Sequence, residues 1–239
     1  MDLSLSNLVL EITRRCNMLC PHCLRGPAQR LNMPTVIIDR VMSAVNHVFS
    51  LTITGGEPSM NADAIWHLRN SVRFHDCSLD CFWLAINAAY FKQGFYDAIQ
   101  ELYSICLSKG DCSMTISGDQ YHGKMSSKAL DMYSELPFFS DAWLHRRIDT
   151  NQLLDEGMAQ RNGIGRKEKI DVQVEITDFS LTADSLYIGD LVYINAKGDV
   201  LLDCDLSFVR QKQYVIGNVL NEALEQILLR NLKKEKSAA

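Results

Sequence analysis

The sequence predicts an α/β fold with parallel strands, followed by a small C-terminal extension of a β-hairpin and a helix. Short apolar runs alternate with helical patterns along the first two thirds of the chain, which is typical of parallel βα units. After about Arg166, apolar residues recur with the period of two that half-exposed strands show. We therefore expect a domain of βα units over residues 1–166 and an extension over residues 167–239.

The composition is that of an ordinary globular chain of 239 residues, with 47% hydrophobic and 22% charged residues. The net charge of −5 argues against general nucleic-acid binding, which favours a basic surface. No apolar run approaches the roughly 20 residues that span a bilayer, and the N-terminus lacks the basic segment of a signal peptide. The eight cysteines are not spaced as a secreted disulfide framework. We expect a cytoplasmic protein that does not contact a membrane.

Apolar periodicity places each element in turn. Parallel strands are expected at residues 8–13, 51–54, 81–86, 113–117 and 142–144. Helices are expected after Pro34, after a cap at Asn61, around residues 95–106 and over residues 150–158. In the extension we expect strands at 170–176, 186–195 and 200–204, a tight turn at Gly198-Asp199, a helix over 220–228 and a frayed tail over 233–239.

The first strand leads into a loop with three cysteines, Cys16, Cys20 and Cys23, at C-x3-C-x2-C spacing. Three thiolates can hold one iron–sulfur cubane and leave one iron without a protein ligand, because such a cluster normally takes four cysteines. Two alternatives stay open from the residues alone. The thiolates and His22 could form a Cys3His zinc site, although His22 directly adjoins Cys23, or two of the cysteines could form a disulfide.

The second strand ends in Thr54, Gly55, Gly56, Glu57 and Pro58. Two glycines let the backbone approach a ligand closely, because no Cβ intervenes. The exposed backbone groups and the Glu57 carboxylate could then bind an ammonium group of that ligand. A plain strand-to-helix turn is the alternative interpretation.

Polar residues also follow the next two strands: Asn87 follows the third, and Ser117 and Asp119 follow the fourth. The carboxyl ends of parallel strands meet at one rim, where such folds gather their reactive groups. We therefore expect these residues, the cysteine loop and the glycine turn to form one pocket. Each of the three is also a common cap or turn residue, so the pattern alone does not require a ligand.

The cysteine spacing and the Gly-Gly-Glu-Pro turn, each directly after a strand, resemble the two hallmarks of the radical S-adenosyl-L-methionine (SAM) superfamily. The resemblance implies that residues 1–166 form a partial (β/α)6 barrel with parallel strands. It also implies that Cys16, Cys20 and Cys23 hold a [4Fe-4S] cluster whose open iron binds SAM. It further implies that SAM contacts come from His22 near the adenine and from Thr54, Gly55, Gly56, Glu57, Asn87, Ser117 and Asp119. Ala88 departs from the Asn-Gly pair that the family often shows.

The resemblance also implies a reaction. A reduced donor such as flavodoxin or ferredoxin supplies an electron, SAM is cleaved, and the resulting 5′-deoxyadenosyl radical abstracts hydrogen from a substrate. Tyr121 and His122 are candidates for proton or hydrogen transfer. A peptide or protein substrate is favoured, which would make the enzyme an oxidoreductase or maturase. A small molecule or nucleotide is the alternative substrate, and a non-catalytic iron–sulfur module is a third interpretation.

The C-terminal part resembles the SPASM and twitch extensions of radical SAM maturases, on the segment from Ile194 through Gly198 and Val200 to Cys204 and on the Tyr214–Val219 segment. Such extensions often bind auxiliary iron–sulfur clusters. Cys204 is the only cysteine after residue 166, so we expect a reduced extension without a second cluster.

Overall fold

The protein is described here from a computed structural model that covers residues 1–166 and 171–233. Nine strands form one sheet: Asp2–Thr13 (β1), His47–Gly55 (β2), Ser78–Ile86 (β3), Ser113–Ile116 (β4), Phe139–Ser140 (β5), Phe179–Leu181 (β6), Ser185–Ile194 (β7), Asp199–Leu201 (β8) and Gly217–Asn218 (β9). The helices are Thr35–Met42 (α1), Ala62–Phe74 (α2), Gln93–Ile105 (α3), Ser127–Ser134 (α4), Gly157–Arg161 (α5) and Leu224–Arg230 (α6).

Six neighbouring strands of the sheet are parallel, in the order β5-β4-β3-β2-β1-β7. Antiparallel β8 and β9 continue the sheet beyond β7, and β6 also pairs with β7. This confirms the predicted α/β fold, in which parallel strands form a partial barrel. The helices α1, α2 and α3 pack in sequence against one another, and their apolar faces belong to the same core as the central strands.

The central strand β1 is as deeply buried as its composition predicts. Leu8, Leu10 and Ile12 are fully inaccessible, as are the apolar residues Leu3 and Leu5 nearer its start. A strand between two parallel neighbours, with layers on both faces, loses contact with water on both sides. The buried Glu11 is the exception within this apolar run, and its partners are described below.

The sixth parallel strand, β7, lies in the region that the sequence analysis assigns to the extension. It pairs with β1 from Ser185 to Ile194, with one irregularity in the register. The division of the chain at residues 166 and 167 remains a prediction. No helix in the described ranges is long and apolar enough to cross a membrane.

Several predicted elements differ from those observed. The fifth strand is Phe139–Ser140, not residues 142–144, which form a turn in which Trp143 packs edge-on against Trp83. The helix expected over 150–158 is divided into a short 3-10 turn and α5, since Gly157 has a φ of +56°.

The extension also differs in detail. Residues 171–176 form no strand, and Ile176 instead makes a single bridge to Leu232. The strand expected over 200–204 ends at Leu201, and the closing helix begins at Leu224. Ile170 and residues 234–239 lie outside the described ranges. The turn at Gly198 is as predicted, with a φ of +82°.

Candidate active site at the carboxyl ends of the strands

The ends of β1 to β4 bring most of the predicted site residues to one pocket of about 340 Å³. Its lining includes Cys16, Cys20, His22, Cys23, Thr54, Gly55, Gly56, Glu57, Asn87, Ser117 and His122. Asp119 and Tyr121 do not line it directly, but both contact His22 from behind. The expectation that the strand-end loops gather at one rim therefore holds in the described structure.

The three cysteines of the loop after β1 are free and partly buried. Burial, followed by repulsion from Cys23 and Cys16, raises the pKa of the Cys20 thiol to about 12. Burial also raises the pKa of Cys16, with Glu57 adding to the effect. Thiols that repel one another when charged, and that are held in one pocket, fit a soft cationic metal centre, which would stabilise their thiolate forms.

The Gly-Gly turn after β2 is tied to the cysteine loop backbone to backbone. The Gly56 N–H donates to the Thr13 carbonyl and the Glu57 N–H donates to the Arg15 carbonyl, each at 2.8 Å. A Cβ on Gly55 would lie 2.1 Å from the Thr13 oxygen, and a Cβ on Gly56 would lie 2.3 Å from the Arg15 oxygen. The glycines are therefore required for this close approach, whatever ligand the turn binds.

Glu57 is 2% exposed, and its carboxylate connects two loops. One oxygen accepts from the Ser59 N–H at 3.1 Å and the other from the Asn87 N–H at 2.8 Å. Burial raises the pKa of this carboxyl, although these hydrogen bonds act in the opposite direction. Glu57 is predicted from the sequence to bind a ligand, and in the structure it also holds the end of β3 against the turn after β2.

Asn87 extends this connection to the cysteine loop. Its side-chain nitrogen donates to the Asn17 side-chain oxygen at 2.8 Å and lies 4.0 Å from the Cys16 sulfur. Ala88, which departs from the family's Asn-Gly pair, has a φ of +49°. The backbone thus keeps the left-handed conformation that favours glycine, with an alanine in its place.

Asp119, His22 and His122 form a polar cluster beside the pocket. Asp119 Oδ2 lies 2.9 Å from His122 Nδ1 and 3.6 Å from His22 Nε2, while Oδ1 accepts from the Tyr121 N–H at 2.8 Å. Burial alone would raise the pKa of Asp119, but the His122 ring and the Tyr121 N–H lower it below its usual value. Burial lowers the pKa of His22, so the ring is neutral near pH 7.

The His22 ring is already in contact with two other rings. It stacks on Tyr121 with 4.9 Å between centroids and meets the edge of His122 at the same distance. Ser117 lines the pocket, and its N–H donates to the Ile86 carbonyl at 2.8 Å. All the residues predicted after β4 therefore lie at or directly behind one wall.

A buried network that the sequence analysis missed joins the cysteine loop to the C-terminal region. Arg14 is 2% exposed, forms an ion pair with Glu11 at 2.5 Å, and donates to Gln211 at 2.5 Å. Tyr193 donates a short hydrogen bond to Glu11, and the Arg14 guanidinium lies 4.5 Å from the centre of the Phe208 ring. The signal in the sequence was a single acid, Glu11, within an otherwise apolar strand.

No family model matches the sequence, and no curated protein matches it. Among solved structures, the chain resembles native anSMEcpe with bound AdoMet and Cp18Cys peptide, with a TM-score of 0.60 and 12% identity over 97% of this chain and 83% of that chain. A second structure of anSMEcpe with AdoMet and Kp18Cys peptide gives a TM-score of 0.60 and 12% identity over 94% of this chain and 80% of that one. Streptococcus suis SuiB bound to precursor peptide SuiA matches with a TM-score of 0.47 and 13% identity over 97% of this chain and 68% of that chain.

The first two structures are of anSME, an anaerobic sulfatase-maturating radical SAM enzyme. At 12% identity the likeness to anSMEcpe concerns the fold alone. The chain therefore shares the fold of radical SAM enzymes that have been solved with AdoMet and a peptide bound.

Proposed function

We propose that this chain is a radical SAM enzyme that modifies a peptide or protein. The observation that carries the proposal is the meeting of three free cysteines with the Gly-Gly-Glu-Pro turn at one rim of a fold shared with radical SAM enzymes. Cys16, Cys20 and Cys23 would hold a [4Fe-4S] cluster, because three soft thiolates are the donor set that such a cluster requires. When bound, the cluster and SAM supply a 5′-deoxyadenosyl radical, which abstracts hydrogen from the substrate.

In this proposal the chain's own residues bind and orient SAM and exclude water. Thr54, Gly55, Gly56 and Glu57 form the wall that receives the amino group. Each Glu57 oxygen already accepts one backbone N–H, and a second lone pair on each can accept from an ammonium. Asn87, Ser117 and Asp119 supply amide, hydroxyl and carboxylate groups for the ribose and carboxylate, and His22 lies where an adenine contact is expected.

The peptide class is proposed because the anSMEcpe structures of similar fold contain peptides. A small molecule or nucleotide is the alternative substrate, and a protein that only binds an iron–sulfur cluster is the non-enzymatic one. We further propose a reduced flavodoxin or ferredoxin as electron donor, a cytoplasmic location, and the division into a barrel over residues 1–166 and an extension over residues 167–239.

The test is anaerobic reconstitution followed by iron, sulfide and product analysis. The wild-type chain should bind about four irons, the content of one [4Fe-4S] cluster, and release 5′-deoxyadenosine when dithionite and SAM are added. Replacing Cys16, Cys20 and Cys23 together by Ala should abolish both. Cys81→Ala is the matched control, since Cys81 is partly buried at the start of β3 and does not line the pocket.

The outcomes separate the alternatives. Four irons without 5′-deoxyadenosine would identify a non-catalytic module, and tightly bound zinc without iron would overturn the proposal. Incubation with SAM, followed by mass spectrometry of trapped peptides and metabolites, would separate the two substrate classes.

A further inference from the structure

The polar cluster beside the pocket contains side chains that commonly bind metal ions, and none of them is a cysteine of the proposed cluster loop. In His22, Asp119 and His122, one ligand atom from each side chain lies within 4.8 Å of the others. The three side chains are 13%, 6% and 16% exposed, so they are sheltered yet reachable from the pocket.

The separations between these atoms suit a shared ion. Ligands about 2.0–2.2 Å from one metal ion lie roughly 3.0 Å apart at a right angle and about 3.4 Å apart at the tetrahedral angle. The carboxylate oxygen of Asp119 is 2.9 Å from the His122 nitrogen and 3.6 Å from that of His22. Both distances fall close to the values that one bound ion requires.

The hydrogen-bonding pattern points in the same direction. Nδ1 of His122 is buried and has no hydrogen-bond partner, although it lies 2.9 Å from the Asp119 oxygen, so the distance is suitable but the angle is not. Nδ1 of His22 is also buried without a partner. Buried polar atoms without partners are rare in native proteins. An ion held between Asp119 Oδ2, His122 Nδ1 and His22 Nε2 would satisfy the His122 nitrogen, whereas Nδ1 of His22 does not face Asp119 and would not bind the same ion.

The surrounding residues hold the cluster in place. Tyr121 stacks on the His22 ring, and its N–H occupies Oδ1 of Asp119, which leaves Oδ2 directed at the two imidazoles. Ligands oriented by such contacts are typical of metal sites, where supporting hydrogen bonds fix carboxylates and rings.

We propose that His22, Asp119 and His122 bind a divalent transition-metal ion of the class of Zn²⁺ or Fe²⁺. Two imidazoles and one carboxylate, with further positions open, form a donor set that both ions accept. The site requires neither the iron–sulfur cluster nor SAM and so goes beyond the proposed function. Because His22 and Asp119 are also proposed SAM contacts, the ion and SAM compete for them.

The test uses Co²⁺ as the probe and the full chain in which Cys16, Cys20 and Cys23 are replaced by Ala, without SAM. Removing these thiols prevents the cluster loop from binding the probe. Calorimetry should show one Co²⁺ per chain, and the visible spectrum should show d–d bands without a thiolate-to-cobalt charge-transfer band.

Two substitutions in this background locate the site. His122→Ala, which removes a ligand, and Asp119→Asn, which removes the negative charge, should each weaken Co²⁺ binding by at least about tenfold, the loss that replacing even a supporting residue of a metal site causes. His145→Ala, which removes an exposed histidine of the same region, should leave the affinity unchanged. His122→Cys should restore binding and add a charge-transfer band, which a purely structural role of His122 would not produce.

Equal Co²⁺ affinity in the His122→Ala chain, or no Co²⁺ binding in a chain that circular dichroism shows to be folded, would overturn the inference. Zn²⁺, or Fe²⁺ under anaerobic conditions, should displace the probe stoichiometrically, and displacement by neither would also count against it. Iron content and 5′-deoxyadenosine release by the wild-type chain are measured separately, so failure here leaves the proposed radical SAM function standing.

Discussion

At the scale of single residues, the site depends on side chains that serve two loops at once. Glu57 is the clearest case, because its buried carboxylate accepts backbone N–H groups from Ser59 and from Asn87. A carboxylate placed for ligand binding alone would leave those N–H groups without partners, at a cost of about 1–3 kcal/mol each. Glu57 therefore positions Asn87, and Asn87 in turn contacts Asn17 in the cysteine loop.

The raised pKa of Glu57 predicts a pH dependence of stability. A carboxyl with a raised pKa binds its proton more tightly in the folded chain, so its stabilising contribution is complete below the ordinary Glu pKa of about 4.3 and is lost as the pH rises through the folded value. The free energy of unfolding of the wild type should therefore fall, relative to Glu57→Gln, as the pH is raised above this ordinary value.

Urea denaturation of the cluster-free chains across a pH series measures this difference. Glu135→Gln serves as the control, because Glu135 is exposed at the end of α4 and its replacement should produce no comparable trend. If the free energies of unfolding of the wild type and Glu57→Gln differed by the same amount at every pH, burial would not raise the pKa of this carboxyl.

At the scale of elements, the glycine turn and the cysteine loop act as one unit. Gly56→Ala would place a Cβ 2.3 Å from the Arg15 oxygen and 2.7 Å from the Arg15 carbonyl carbon. These are backbone atoms, which cannot move aside as the end of a flexible side chain can. We expect a loss of about 1–3 kcal/mol, the usual range for overpacking, and loss of most of the bound iron after reconstitution.

Gly94→Ala is the matched control for this substitution. Gly94 lies in the first turn of α3 with nothing within 4 Å of an added Cβ. Alanine is favoured there by about 0.5–1 kcal/mol, so the control should keep its iron and melt no lower than the wild type. Full iron content in Gly56→Ala would show that iron binding by the cysteine loop does not depend on the glycine turn.

The elements that the sequence predicted best are the buried strands, whose residues form short continuous apolar runs. The strands around Leu8, Leu51 and Leu84 are present because continuous apolar runs between turns have one stable solution in a parallel sheet. The edge strand β5 could not be located, because it is two residues long and is fixed by pairing with Met114 and Thr115.

Many residues that line the candidate pocket are named from the sequence, and their roles stay predictions, whereas the contacts between them could not be predicted. Local patterns identify the cysteines and the glycine turn, whereas the hydrogen bond from Tyr193 to Glu11 joins β7 to β1 only after the chain has folded. The contact of Arg14 with Gln211 spans nearly the whole chain, and no local pattern encodes it.

At the scale of the whole molecule, the C-terminal region is integrated into the barrel sheet rather than attached to its surface. β7 pairs with β1, and the Arg25 guanidinium near the cysteine loop donates to the carbonyls of Cys204 and Leu206 at 2.6 and 2.9 Å. The C-terminal region therefore contacts the candidate active site through the hydrogen bonds that its backbone carbonyls accept from Arg25. Its own cysteine provides a test of whether it also carries a metal.

Cys204→Ala separates a one-cluster enzyme from one with an auxiliary cluster. The Cys204 side chain packs beside a small apolar cluster that includes Tyr193 and Leu206, and burial, followed by repulsion from Asp205, raises the pKa of its thiol to about 11. Unlike the three cysteines of the loop after β1, this thiol stands alone, because no other cysteine follows residue 166 and a cubane normally takes several thiolates. The neighbouring carboxylates of Asp203 and Asp205 are hard donors that replace thiolates poorly.

We therefore expect Cys204→Ala to keep the iron content and the SAM cleavage of the wild type, with a loss of at most about 1–2 kcal/mol in stability, as for a modest core truncation. Iron and sulfide assays on both reconstituted chains measure this directly, and Cys16→Ala in parallel shows the loss expected for a true cluster ligand. About eight irons in the wild type, falling by half in Cys204→Ala, would reveal a second cluster. Such a cluster would need ligands beyond the one thiol that this region supplies.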